Sequence, residues 1–130
     1  MPRAKQLTVS VTPDRPGALG EIATALGSKK VNIVGISGGK MGERGVIWMV
    51  VDKTAAAKKV MAQNGWDASE DEVLAVTLSD SPGTLGRFAS KLGKAGININ
   101  YMYAGSAGSA RKLTGYFGVS DLKAALKIRP

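Results

Sequence analysis

The chain has no cysteine and no histidine. Their absence excludes disulfides, thiol nucleophiles, zinc sites of the usual kind, the commonest general base and every serine-histidine triad. Aromatic residues make up only 5% of the sequence, as two Trp, three Tyr and two Phe. No apolar run approaches the roughly 18 residues of a membrane span, and the opening Met1-Pro2-Arg3-Ala4-Lys5-Gln6 has no hydrophobic stretch resembling a signal peptide, so the expected location is the cytoplasm. Neither Gly-x-x-x-x-Gly-Lys-Ser/Thr nor Gly-x-Gly-x-x-Gly occurs, which removes the common phosphate-binding loops. Glu70, Asp71 and Glu72 cluster in a stretch that reads as a solvated linker, so they form neither a catalytic pair nor a metal cage. The expectation is a protein that is not an enzyme and carries no cofactor or metal.

Charge of one sign is in excess without being concentrated. The formal net charge is +8, with ten basic and four acidic residues in positions 1–65 and eight against six in 66–130. Only Lys29-Lys30, Lys58-Lys59 and Arg111-Lys112 are paired, and such scattered charge describes a solvated surface better than a nucleic-acid footprint. With 44% hydrophobic and 22% charged residues and a mean hydropathy of −0.01, the composition is that of a soluble globular protein.

The chain is internally repeated. Asp14-Arg15-Pro16-Gly17-Ala18-Leu19-Gly20 returns as Asp80-Ser81-Pro82-Gly83-Thr84-Leu85-Gly86, and the match runs on to Asn32-Ile33 and Asn98-Ile99, with ten identities in twenty positions between 14–33 and 80–99. A repeat of this length is one supersecondary unit used twice. Two modules of about 65 residues follow, each too small to be robust alone. The boundaries expected are 1–69 and 70–130.

Each copy opens on a strand, Leu7 to Thr12 and Val73 to Leu78, rich in β-branched residues. The Asp-x-Pro-Gly turn follows, then Leu19, Ile22, Ala23, Leu26 and Leu85, Phe88, Ala89, Leu92 at the spacing of an amphipathic helix. Pro16 and Pro82 fit the first helical turn, and Gly27 and Gly93 fall near the helix end, where a left-handed cap is usual. Second strands are expected at Val31 to Ser37 and Ile97 to Ala104, third strands at Gly45 to Asp52 and Lys112 to Val119, and second helices at Thr54 to Gln63 and Asp121 to Ile128. The glycine-rich segments Gly38 to Arg44 and Gly105 to Arg111 read as mobile hairpin loops. The stretch Asn64 to Glu72 is a short linker with room for a brief fourth strand near Trp66 to Ser69, and the second copy stops at Pro130 before a final strand.

This β-α-β-β-α order is the ferredoxin-like arrangement, an α+β fold. The strand, the Asp-x-Pro-Gly-x-Leu-Gly string, the helix ending in Gly, and Val-Asn-Ile or Ile-Asn-Ile, all occurring twice, resemble the ACT domain, the small-molecule regulatory module of amino-acid metabolism, and in particular free-standing proteins of two such domains. The resemblance implies two βαββαβ modules side by side, forming a continuous antiparallel sheet with helices on one face. It also implies an amino-acid ligand at the interface between repeats and a separate regulated enzyme or transcription factor. The site residues it implies are Asp14, Pro16, Gly17, Leu19, Asn32 and Ile33 with Asp80, Pro82, Gly83, Leu85, Asn98 and Ile99.

The chemistry of these residues agrees. Gly17 and Gly83, without side chains at a helix N-terminus, let backbone N–H groups and the positive dipole end reach an α-carboxylate. Asp14 and Asp80 can accept from an α-ammonium, and Asn32 and Asn98 can serve either group. The same residues also suit plain capping and turn roles. The copies differ at Arg15 against Ser81 and at Gly35-Ile36 against Tyr101-Met102, so a single working site is one outcome. A missing final strand leaves a sheet edge that a second chain would cover, and a homodimer is therefore expected. The alternative is RNA binding on the sheet, with Tyr101 and Tyr103 pointing the same way along a strand. The aromatic and basic string of an RNA-recognition third strand is, however, absent from Gly45 to Val50 and Lys112 to Phe117.

Overall fold

The computed structural model describes residues 2–106 and 111–130. It falls into two compact units, one of Lys5–Asp71 and the other of Glu72–Pro130 together with residues 2–4. The elements among the described residues are β1 (Arg3–Val11), α1 (Ala18–Ser28), β2 (Ile33–Met41), β3 (Arg44–Val51), α2 (Thr54–Gln63), β4 (Asp67–Ser79), α3 (Thr84–Lys94), β5 (Ile99–Ser106), β6 (Lys112–Val119) and α4 (Leu122–Ala125). The α+β, ferredoxin-like repeat expected from the sequence is present in both units.

In the first unit β3 is central and antiparallel to both neighbours, with Val9 opposite Ile47, Leu7 opposite Met49 and Ile36 opposite Met49 on the other side. Alternation puts Leu7, Val9, Ile47, Met49 and Val51 on one face of the sheet, where they meet Ile22 and Leu26 of α1 and Ala57, Val60 and Met61 of α2 in one core. The second unit repeats this pattern. β6 pairs with β4 and β5, Leu74 and Met102 both lie opposite Phe117, and the core joins Leu74, Val76, Leu78, Phe88, Leu92, Ile97 and Phe117. Phe88 and Phe117 meet edge to face with ring centres 5.6 Å apart, a favoured aromatic geometry.

The repeated helices end in the same motif, but not at the glycines expected. Gly27 and Gly93 remain inside α1 and α3, and the left-handed residues are Lys30 (φ 60°) and Gly96 (φ 74°). Val31 N–H reaches Leu26 O at 3.0 Å and Lys30 N–H reaches Gly27 O at 2.9 Å; Ile97 to Leu92 and Gly96 to Gly93 repeat these bonds at 2.9 and 3.0 Å. This is the paired 6→1 and 5→2 pattern that closes a helix C-terminus, and the residues it joins, Leu26 with Val31 and Leu92 with Ile97, share a core. Pro16 and Pro82 likewise lie before the helix and not in its first turn. The N-cap residues are Gly17 and Gly83, each at φ 87°, a conformation that suits glycine.

Three further expectations change. The segment Gly38 to Lys40 is not loop but ladder, paired with Ile47, Val46 and Gly45, and only Gly42-Glu43 turn between Met41 and Arg44. In the second hairpin, residues 107–110 of the expected mobile loop lie outside the described residues. The linker Asn64 to Glu72 is mostly strand, because β4 begins at Asp67; two of its acidic residues are paired with cations, Glu70 with Lys58 at 3.1 Å and Glu72 with Arg3 at 3.3 Å. Such exposed pairs add little stability. Finally, Ala75 N–H of β4 donates to Pro2 O at 3.1 Å. The second unit thus has its own residues 2–4 beside the strand that was expected to stand bare, and that position does not call for another chain.

Candidate ligand site

The first unit contains a cavity of about 500 Å³, whose lining comes wholly from Lys5–Asp71. Three segments build it: the turn and first helical residues Asp14, Arg15, Gly17, Ala18 and Leu19; the strand Ile36 to Lys40; and Gly45, Val46 and Ile47 of β3, with Val11 at the end of β1. Volumes of 300 to 1,000 Å³ are usual for small-molecule sites.

The turn is fixed to the Gly42-Glu43 turn between β2 and β3 by Asp14 N–H, which donates to Glu43 O at 2.7 Å. The Asp14 carboxylate then lies against the backbone of Gly45. A Cβ added at Gly45 would stand 2.6 Å from Asp14 Oδ1, so the carboxylate occupies space that only glycine leaves free. Among the described residues this carboxylate has no hydrogen-bond or ion-pair partner. Arg15 also lines the cavity, and its guanidinium pairs with Glu21, which does not; that bond raises the Arg15 pKa and lowers the Glu21 pKa.

The N-terminus of α1 also borders the cavity, through Gly17, Ala18 and Leu19. Gly17 gives no side-chain cap, and the first N–H groups of a helix have no intrahelical acceptor, so those of Leu19 and Gly20 are available together with the positive end of the dipole. The walls are apolar: Leu19 and Ile36 are 51% and 42% exposed, unusual for such side chains, and Val11 and Ile47 stand near them. Lys40 completes the rim. A carboxylate, a set of free N–H groups and an apolar wall in one cavity match the three parts of an apolar amino acid.

Of the residues expected at a site, the structure brings Asp14, Gly17 and Leu19 to this cavity. Pro16 is not among its lining residues, nor are Asn32 and Ile33. The backbone of Asn32 is tied to Asp52, its N–H donating to Asp52 Oδ1 at 2.9 Å and its carbonyl accepting from Asp52 N–H at 3.1 Å. Asn98 is held the same way by Ser120, at 2.9 Å in both directions, and its amide donates to Asn100 Oδ1 at 2.8 Å. Asp80 N–H donates to Arg111 O at 2.8 Å, as Asp14 does to Glu43. Gly83 caps α3, Leu85 is exposed, Pro82 precedes the cap and Ile99 packs against the second core. Ile36 entered the sequence reading only as a difference between the copies, and the residues it passed over are Gly38, Lys40, Gly45 and Ile47. Their signal lay in the repeat itself, because Gly38 and Gly45 align with Ala104 and Leu113.

Tyr101 and Tyr103 do share a face of β5, opposite Gly118 and Tyr116 of β6, and Tyr103 and Tyr116 have ring centres 5.2 Å apart. They are not a free stacking platform. Tyr116 is buried, Tyr101 and Tyr103 are half-buried, and burial raises the pKa of Tyr103 and of Tyr116 above the ordinary phenol value.

Residues 5–63 match the family model of the ACT domain. The first repeat is an ACT domain. Among curated proteins none matches the sequence of the chain. Among solved structures it is similar to protein BT0572 from Bacteroides thetaiotaomicron, with a TM-score of 0.89 and 20% identity over 98% of this chain and 86% of that one. It is also similar to the ligand-free regulatory subunit of aspartate kinase from Thermus thermophilus, with a TM-score of 0.67 and 20% identity over 95% and 88% of the two chains. The regulatory subunit of aspartate kinase from Thermus flavus gives 0.62 and 17% over 90% and 86%. Identities this low establish a shared fold. The unit that matches this family model holds the cavity of about 500 Å³. Among the described residues no group of three or more Asp or Glu is placed to hold a metal ion, and no helix is long and apolar enough to cross a membrane.

Proposed function

We propose that this protein is a regulatory module that binds a small amino acid in the cavity of its ACT unit and transmits the bound state to a separate protein in the cytoplasm, without catalysing a reaction itself. The carrying observation is that the Asp14 carboxylate, unpartnered among the described residues, lines the same cavity as the uncapped N-terminus of α1. The α-ammonium rests on Asp14, the α-carboxylate on the N–H groups after Gly17, and an apolar side chain on Leu19, Ile36 and Ile47. The similarity to regulatory subunits of aspartate kinase supports a regulatory role. The partner responds through linkage, so the ligand can shift a conformational equilibrium by no more than its difference in affinity for the two states.

A thermal-shift screen against the twenty amino acids tests the reading. A ligand at 100 times its dissociation constant stabilises the native state by about 2.7 kcal/mol, and one or a few apolar amino acids should raise the melting temperature. A flat response to all twenty would refute the amino-acid assignment.

A further inference from the structure

We infer that ligand binding is confined to the first unit and that Gly45 is the residue that decides it, a step that rests on the function proposed above. The two turns are placed alike: Asp14 N–H donates to Glu43 O at 2.7 Å and Asp80 N–H donates to Arg111 O at 2.8 Å. Two residues beyond each acceptor the units part. The first has Gly45, over which the Asp14 carboxylate lies. The second has Leu113, whose side chain packs against the second core. A Cβ alone at Gly45 would come within 2.6 Å of Oδ1 and 3.0 Å of Cγ of Asp14, so a leucine at that place forbids the equivalent pose of Asp80.

The wall beside it changes in the same sense. Ile36, 42% exposed at the cavity, is matched by Met102, which packs onto the second core, and Gly38 is matched by Ala104. A Cβ at Gly38 would stand 2.9 Å from Val46 O, so the first unit's narrow wall also depends on glycine. The second unit keeps the anion-attracting half of the site, the glycine-capped helix end at Gly83, and loses the seat for the ammonium. An α-amino acid needs both. Selection for the ammonium group is thus written in β3, outside the turn motif that the repeats share.

The test is amide NMR of the whole chain titrated with an equimolar mixture of the twenty L-amino acids. Shifts should appear at Asp14, Gly17, Leu19 and Ile36 and be absent at Asp80, Gly83, Leu85 and Met102. Shifts in both units, or in the second alone, overturn the confinement while leaving an amino-acid binder; no shift in either unit overturns both the confinement and the function beneath it. Gly45→Leu should then weaken binding about tenfold or more with an unchanged circular dichroism spectrum. If that variant does not fold, Gly45→Ala serves, because its single added carbon already meets Asp14 Oδ1; a folded Gly45→Ala protein with undiminished affinity removes Gly45 from its deciding role.

Discussion

The two units share a helix-capping motif, a core plan and a turn anchored just before the third strand of each repeat, yet the strands beside that turn carry glycines in one and larger side chains in the other. In the first, glycines at 38 and 45 thin the sheet beneath the α1 N-terminus, and Leu19 and Ile36 remain unusually exposed. In the second, Leu113 and Met102 take that space into the core. The lesson is that a repeated turn sequence preserves a scaffold, whereas a ligand site depends on what the neighbouring strand leaves empty. The capping identities between the copies speak for folding before they speak for binding.

The comparison can be pressed hardest at the cores. Phe88→Ala, which removes a fully buried ring in contact with Phe117, should cost about 3 to 5 kcal/mol, and Leu26→Ala in the first unit about 2 to 5 kcal/mol, read from urea unfolding. Losses below 1 kcal/mol would mean that these side chains are not core. A smaller effect of opposite sign is expected at the helix ends. Lys30 adopts the left-handed conformation that Gly96 adopts freely, so Lys30→Gly should stabilise by about 0.5 to 1 kcal/mol, the left-handed penalty less the glycine's extra chain entropy, and Gly96→Lys should destabilise by a similar amount. Equal and unsigned effects at the two positions would erase this difference between the units.

Within the cavity, Asp14→Asn keeps the shape and removes the charge; it should weaken binding of an amino acid severalfold at neutral pH, since charge-assisted hydrogen bonds are roughly twice as strong as neutral ones, while Asp80→Asn leaves it unchanged. Calorimetry on the two variants checks this. The smallest effects are in titration. Burial raises the pKa of Tyr103 and Tyr116, so each favours its neutral form in the folded state. Their stabilising contribution is complete below the free phenol value of about 10 and is lost as pH rises from there through the folded values. Absorbance at alkaline pH should therefore show tyrosine ionisation later in folded than in urea-unfolded protein. Coincident curves would contradict the burial of these rings.

The framework was legible because its signals were periodic. The helix expected at Thr54 to Gln63 and the strand expected at Lys112 to Val119 match α2 and β6 at both ends. The last helix, expected to Ile128, ends at Ala125, with Asp121 as its N-cap accepting from Ala124 N–H at 3.0 Å. The stretch after Asn64 misled because a run of exposed acids hides the alternation of a strand; Trp66 just before it and Ala68 within it pack against the core. The helix-end glycines misled because the left-handed residue comes three positions later, and in one copy it is a lysine. The site was half legible: Asp14, Gly17 and Leu19 carry their chemistry in the motif, whereas Gly45 gains meaning only from the placement of Asp14 over it. Asn32 and Asn98 looked like ligand groups, and their backbones instead serve Asp52 and Ser120.

The hydrogen bond from Ala75 to Pro2 bears on how the chain can be handled. A laboratory cut near residue 70 would give a downstream piece that holds α3, α4 and their sheet but lacks the peptide that accepts from Ala75, and an upstream piece carrying those few residues with nothing of their own unit to pair with. Duplication has here produced two halves whose beginnings and ends are traded, so that the opening residues of the chain belong with its close.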